Sequence, residues 1–106
     1  MSLDPKISGL IGFGARSGKL MSGSNAVEQG IRSNRAKLVI LAEDLNPKRV
    51  EKMKLWCADM GIPVLVSGKK DEYGTLLQKP PLGLLALTDA HMVSGILKAA
   101  KTNGGD

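Results

Sequence analysis

One cysteine, one histidine and three aromatic residues are all that this 106-residue chain offers of the side chains that build redox centres, metal sites and stacking platforms. Cys57, being alone, excludes an internal disulfide framework and any cysteine-rich zinc site. His91 has no second ligand near it in sequence, which argues against a metal site or a catalytic triad. Readers of single-stranded nucleic acid stack bases on aromatics displayed by an open sheet. Here the aromatics are Phe13, Trp56 and Tyr73, and none falls within the three long apolar runs at 37–42, 62–67 and 82–88. No run reaches the roughly 18 apolar residues of a membrane span. The first residues lack the basic region, apolar stretch and small-residue cleavage site of a signal peptide. The expectation is a cytoplasmic protein with no membrane partner, no metal and no cofactor.

Acidic residues are in deficit as well. Ten Asp and Glu against fifteen Lys and Arg leave a net charge of +5, a field that favours polyanions over cationic partners. Charge alone does not decide for nucleic acid, since many basic proteins bind none. The hydrophobic fraction of 42% is ordinary, and a chain of this length buries roughly 60–70% of its unfolded surface as one domain.

Along the chain, Ile7, Leu10, Ile11 and Gly14 recur at helical spacing behind Pro5, which suits a first turn. Gly12 and Gly14 each cost about 1 kcal/mol inside a helix, a cost that close packing on a neighbour would offset. "KLM" reads as a short strand, and 25–34 as a second helix with Val27, Gly30 and Ile31 inward. "KLVILA", "IPVLVS" and "LGLLALT" read as strands covered on both faces. Between them, Asn46 and Pro47 open a third helix, stopped by Gly61, with Val50, Met53, Cys57 and Met60 inward. "KKDEYGTLL" is a short fourth helix and "QKPP" a stiff loop. Thr88 or Asp89 caps a last helix bearing Met92, Val93, Ile96, Leu97 and Ala100, and 101–106 reads as a disordered tail. The alternation predicts an α/β fold, a three-layer α/β/α sandwich around a mixed sheet of about four strands, in a single domain over 1–100.

Two glycine motifs fail on inspection. A phosphate-binding P-loop needs four residues between its first Gly and Gly-Lys-Ser/Thr. Five separate Gly12 from Gly18 here, and Leu20 stands where the hydroxyl belongs. A dinucleotide fingerprint needs glycine at Ser17 and a strand before Gly12. Asp44 and Asp89 each follow a strand and precede a helix, the usual place of a capping carboxylate rather than a catalytic base. No constellation argues for catalysis.

Gly23, Ser24 and Asn25 stand directly before the second helix. A helix start offers unpaired amides and about half a positive charge, and phosphate oxygens bind there readily. Arg32 lies two turns along on Asn25's face. The same residues fit a ligand-free alternative, in which Asn25 and Glu28 form an Asn-led capping box.

The ordered segments "ARSGKLMSG", Asn25, "AKLVILAEDLNP", "GIPVLV", "KKDEYG" and "LLALTD", spread over residues 5–98, resemble the ribosomal-protein family whose best-known members bind kink-turn RNA. That family includes the archaeal multifunctional ribosomal protein and the eukaryotic large-subunit protein thirty, and the pattern is most similar to the bacterial YlxQ-type branch. The resemblance implies a three-layer sandwich that grips a sharply bent RNA, with ribosomal RNA and a ribosome or other ribonucleoprotein as partners. By position, it implies groove contacts from Gly23, Ser24, Asn25 and Gln29. It also implies that Gln78, Lys79, Pro80 and Pro81 form a loop closing over an extruded nucleotide. Arg16, Lys19, Arg32 and Lys79 would supply phosphate contacts, and four such contacts predict a salt slope of about −3.6. The chain departs from the strong kink-turn binders at Ala26, where they carry an acidic residue, and at Gln29, where they carry a lysine. Met21 and Ser22 replace lysines that they favour. Those departures, with exposed apolar surface at Met21 and Trp56, leave a second expectation: a protein-interaction module on the same fold that has lost RNA. A nucleotide-handling enzyme rests only on the failed glycine motifs.

Overall fold

Asp4 starts the first helix by accepting hydrogen bonds from the Lys6 and Ile7 amides at 2.6 and 3.4 Å, with Pro5 in the first turn. The structure, a computed structural model, describes residues 3–104. The elements follow as α1 Pro5–Arg16, β1 Leu20–Ser22, α2 Ser24–Arg32, β2 Leu38–Leu41, α3 Pro47–Met60, β3 Val64–Val66, α4 Lys70–Leu77, β4 Leu84–Leu87 and α5 Ala90–Gly104. Residues 101–104 therefore continue the last helix, where the polar, glycine-bearing sequence reads as a tail; 105–106 lie outside the described residues. No helix among the described residues is long and apolar enough to cross a membrane.

The strands form one mixed sheet in the order β1-β4-β2-β3. The β1–β4 and β4–β2 pairs are antiparallel, and β2–β3 is parallel. Side chains alternate between the two faces of a strand, and the sequence of β2 and β4 is apolar on both. Leu38, Ile40, Leu85 and Leu87 join Ile7, Ile11, Tyr73 and Ile96 in one core beneath α1, α4 and α5. Val39, Leu41, Leu84 and Ala86 join Val27, Ile31, Met53 and Cys57 in the other, beneath α2 and α3. This is the expected three-layer sandwich, and a sheet so covered offers no open platform for bases.

Gly14 supplies the close packing anticipated for α1: a Cβ there would lie 2.9 Å from Leu87 Cδ2. Gly12 has ordinary room beside Leu76, so its cost has no such return. Gly12, the first glycine of both failed nucleotide motifs, lies inside α1, and Gly18 falls in the turn from α1 to β1, so neither stands in a strand-to-helix turn. Asn46 caps α3 through the Lys48 amide, and Gly61 ends it in the left-handed conformation, φ 71°. Asp44 reaches 26 residues along the chain to accept from the Lys70 amide at 3.0 Å, capping α4 rather than the helix that follows it. Cys57 is fully buried, and desolvation pushes its thiol pKa up, so it packs as a small hydrophobe. Tyr73 is also fully buried. Its hydroxyl donates to the Ser67 carbonyl at 2.6 Å, tying α4 to the end of β3.

Asp89 caps α5, accepting from the His91 and Met92 amides at 2.8 and 3.1 Å. The Met92 amide bond is the largest influence on its carboxyl; together with the His91 amide bond and the nearby Lys19 charge it outweighs the opposing desolvation and holds the carboxyl below the usual range. A folded pKa below the unfolded one means that the stabilisation is complete above the unfolded value and is lost as pH falls through the folded one. The Tm gap between the wild-type protein and Asp89→Ala should therefore narrow steadily on acidification below the ordinary carboxylate range. A gap that stays constant in a pH-resolved melting series would contradict the capping role of the charge.

Candidate nucleic-acid interface

Strand register sets the start of α2. The Gly23 amide donates to the Leu84 carbonyl at 2.9 Å, extending the β1–β4 ladder by one residue before the chain turns into the helix. Gly23 turns at φ 90°, ψ 162°, a region essentially reserved for glycine. The first helical bond runs from the Val27 amide to the Gly23 carbonyl, 3.0 Å, so the amides of Ser24, Asn25 and Ala26 precede the ladder. Gly23 is the cap residue, and no side chain among the described residues caps the helix. The capping-box expectation for Asn25 and Glu28 is thus overturned. Asn25 already sits inside the first turn, two residues past the cap position. Glu28 is drawn away to Arg49, at 2.8 Å, and Arg32, at 3.5 Å. Ser24, Asn25, Ala26 and Gln29 are all exposed, with Gln29 one turn above Asn25 on the same face.

The loop after α4 arrives at the same corner. Gln78 closes α4 in the left-handed conformation, φ 57°, and the Lys79 amide folds back onto the Gly74 carbonyl at 2.8 Å. Gly74 makes this return possible, since a Cβ there would lie 2.8 Å from the Lys79 carbonyl oxygen and 3.0 Å from Pro80. The Lys79 ammonium then donates to the Ser22 hydroxyl at 3.2 Å, at the foot of α2. Pro80 and Pro81 are exposed beyond it. Two segments 57 positions apart in the chain meet through this one hydrogen bond.

The remaining sequence-derived residues divide. Arg16 lines a groove of about 320 Å³ with Leu76, Leu77 and Gln78, approaching the same loop from the end of α1. Lys19 does not join the corner. It pairs with Asp89 at 3.9 Å, at the opposite end of β1, where Leu20 faces Leu87. Arg32 lies over the Trp56 ring, 5.8 Å from its centre, on the flank facing α3. Met21 is half-buried and packs under Gly30, whose Cβ would meet the Met21 sulfur at 2.7 Å. Neither Met21 nor Trp56 therefore stands free as the exposed apolar surface that the sequence alone suggested.

Sequence reasoning missed Ser22 as the acceptor for Lys79, and Gly74 as the seat of the loop. It also missed the cations Lys48, Arg49 and Lys52 beside Arg32. The last had a legible signal: α3 begins with basic residues and no acidic one in its first turn, against the helix dipole.

An α/β/α sandwich that presents an open helix start beside a proline-stiffened basic loop is a scaffold suited to holding an anionic backbone. The chain belongs to the ribosomal protein L7Ae/L30e/S12e/Gadd45 family, whose family model matches residues 6–94. It is 38% identical over 61 residues to the large ribosomal subunit protein eL8 of Thermoplasma volcanium, covering 57% of this chain and 50% of the relative. To eL8 of Drosophila melanogaster it is 32% identical over 88 residues, 77% of this chain and 32% of the relative. The chain thus spans half or less of the length of these ribosomal relatives. Among solved structures, a protein with unknown function from Bacillus halodurans C superposes with a TM-score of 0.83 at 25% identity, covering 90% of this chain and 96% of the other. The Giardia lamblia 15.5kD RNA binding protein superposes at 0.74 and 22% identity, covering 91% and 92%, and shares the fold.

Proposed function

We propose that this protein is a non-enzymatic RNA-binding protein of the ribosomal type, which recognises a bent, kink-turn-like RNA through the start of α2 and the loop 78–81. The observation that carries the reading is the absence, among the described residues, of a side-chain cap on α2, with the Lys79 ammonium held at its foot. Phosphate oxygens would accept from the Ser24, Asn25 and Ala26 amides. Lys79 and Arg16 would neutralise charge on either side of the loop. Asn25 and Gln29 would read polar edges in the groove, with less base discrimination than a lysine at 29 and an acid at 26 would allow. Family membership and the ribosomal relatives support RNA as the partner, and a ribosome or other ribonucleoprotein as its setting.

The test is a titration of a kink-turn RNA and a plain duplex of equal length across salt concentrations. With Lys19 paired to Asp89 and Arg32 turned to the flank facing α3, the two cations left at the corner, Arg16 and Lys79, predict a slope of log affinity against log salt of about −1.8 for the kink-turn. Equal, weak binding of both RNAs would refute the reading. In the same assay, Asn25→Ala should weaken binding by more than about 1 kcal/mol, the net worth of a hydrogen bond. Its stability should stay within about 0.5 kcal/mol of the parent, because the side chain caps nothing. A stable variant of undiminished affinity would remove Asn25 from the site.

A further inference from the structure

Between α2 and α3 runs a groove of about 610 Å³, distinct from the corner where the helix begins. Arg32, Lys48, Arg49 and Lys52 line it, with Met53 and Trp56 deeper and Glu28 as the single carboxylate, leaving three positive charges in excess. Glu28 pairs with both arginines, Arg49 at 2.8 Å and Arg32 at 3.5 Å, and Arg32 lies over the Trp56 ring. Lys48 and Lys52 have no ion-pair partner among the described residues.

This arrangement works against the helix that carries it. Cations in a first turn face the positive end of the helix dipole, and α3 has no acidic residue there to compensate. By contrast, α4 begins with Lys70 but follows it with Asp71 and Glu72. Lys48 and Lys52, one turn apart, also repel one another. A local rule broken twice on one exposed helix face, next to two arginines that share one carboxylate, marks a surface organised for an external anion.

Resting on the RNA-binding reading above, we infer that the α2–α3 groove is a second RNA-contacting surface that takes the phosphate backbone of an arm leaving the kink. Continuity with the corner favours RNA over an acidic protein. At about 1.5 Å rise per residue, Arg32 lies about 12 Å along α2 from Ser24, and seven residues of helix bring it back to nearly the azimuth of Asn25. A strand anchored at the Ser24–Ala26 amides would therefore meet Arg32 within a few nucleotides, with Lys48 and Lys52 beyond it. The guanidinium of Arg32, lying over the Trp56 ring and largely exposed, offers a flat surface to a base in the same strand.

Trp56 is the chain's only tryptophan, so its fluorescence reports on this groove alone. Two kink-turn RNAs are compared, one trimmed close to the kink and one with an extended arm, on the full chain and on the Lys48→Gln, Lys52→Gln double variant. The extended RNA should change Trp56 emission on binding to the parent, and the trimmed RNA should not. In the double variant the affinity for the extended RNA should fall roughly tenfold, and its salt slope should become shallower by about 2, one for each lysine. Binding of the trimmed RNA should be unaltered. Melting temperature should hold or rise, because one cation leaves the first turn of α3 and the Lys48–Lys52 repulsion is removed, so lost affinity could not be ascribed to misfolding. An extended RNA that binds with silent Trp56 and an unchanged slope would overturn the groove while leaving the corner intact. Failure of the parent protein to bind either RNA would overturn both readings. A Trp56 response to polyglutamate but not to RNA would overturn the choice of RNA as the occupant.

Discussion

Gly74→Val is expected to destabilise the protein by about 1–3 kcal/mol, as forced overpacking does, and also to weaken RNA binding by roughly tenfold, about 1.4 kcal/mol. The two losses share one cause. A Cβ at position 74 would lie 2.8 Å from the Lys79 carbonyl oxygen and 3.0 Å from Pro80, and these are backbone atoms that no rotamer change can clear. Either α4 shifts or the loop lifts, and a lifted loop takes the Lys79 ammonium away from Ser22, where it now sits at 3.2 Å. Ile96→Val separates the two effects. Ile96 is fully buried on α5, away from the corner, and its truncation should cost about 0.5–1.5 kcal/mol with no change in RNA affinity. Denaturant melts and binding isotherms on the pair settle the matter: affinity loss in both variants would mean that global stability alone governs binding. Undiminished affinity in Gly74→Val would mean that the loop plays no part.

Gly23→Ala should cost roughly 1–3 kcal/mol, the penalty of holding a residue with a Cβ at φ 90°, ψ 162°. Space is not the obstacle, since no atom lies within 4 Å of the Cβ position. The strain is purely conformational. Relief would require the turn to rotate, which would break the Gly23 amide bond to Leu84 or re-aim the Ser24–Ala26 amides. RNA affinity should fall with the stability, and the effect should persist at high salt, because it removes amide donors rather than charges. Binding curves across salt concentrations check this. An affinity loss that vanishes at high salt would point to altered charge instead of altered amide geometry. A variant as stable as its parent would show that the glycine conformation is not required.

Much of the architecture could be read from local signals. Val27 and Ile31 in α2, and Met53 and Cys57 in α3, announce their buried faces by helical spacing. The unbroken apolar runs of β2 and β4 announce two-sided burial, and all eight of those residues are indeed covered. Asn46 and Gly61 mark both ends of α3 from sequence alone. The start of α2 was less legible, because "SNAVE" satisfies a capping pattern as well as an open helix start. What decides between them is the pairing of Gly23 with Leu84, 61 residues further on, which begins the helix two residues early and leaves Asn25 without the geometry of a cap. Similarly, Lys19 reads as one more phosphate contact until α5 places Asp89 beside it.

By itself, then, the order of residues determined the element types, the two-sided core and the family, since each follows from periodicity and short motifs that act within a few positions. Only the folded chain decided that the α2 start stands open, that Lys79 reaches its foot, and that four cations gather between α2 and α3. Those features depend on strand register and on helices meeting across the sheet. Such contacts join residues far apart in the chain, and no local preference encodes them.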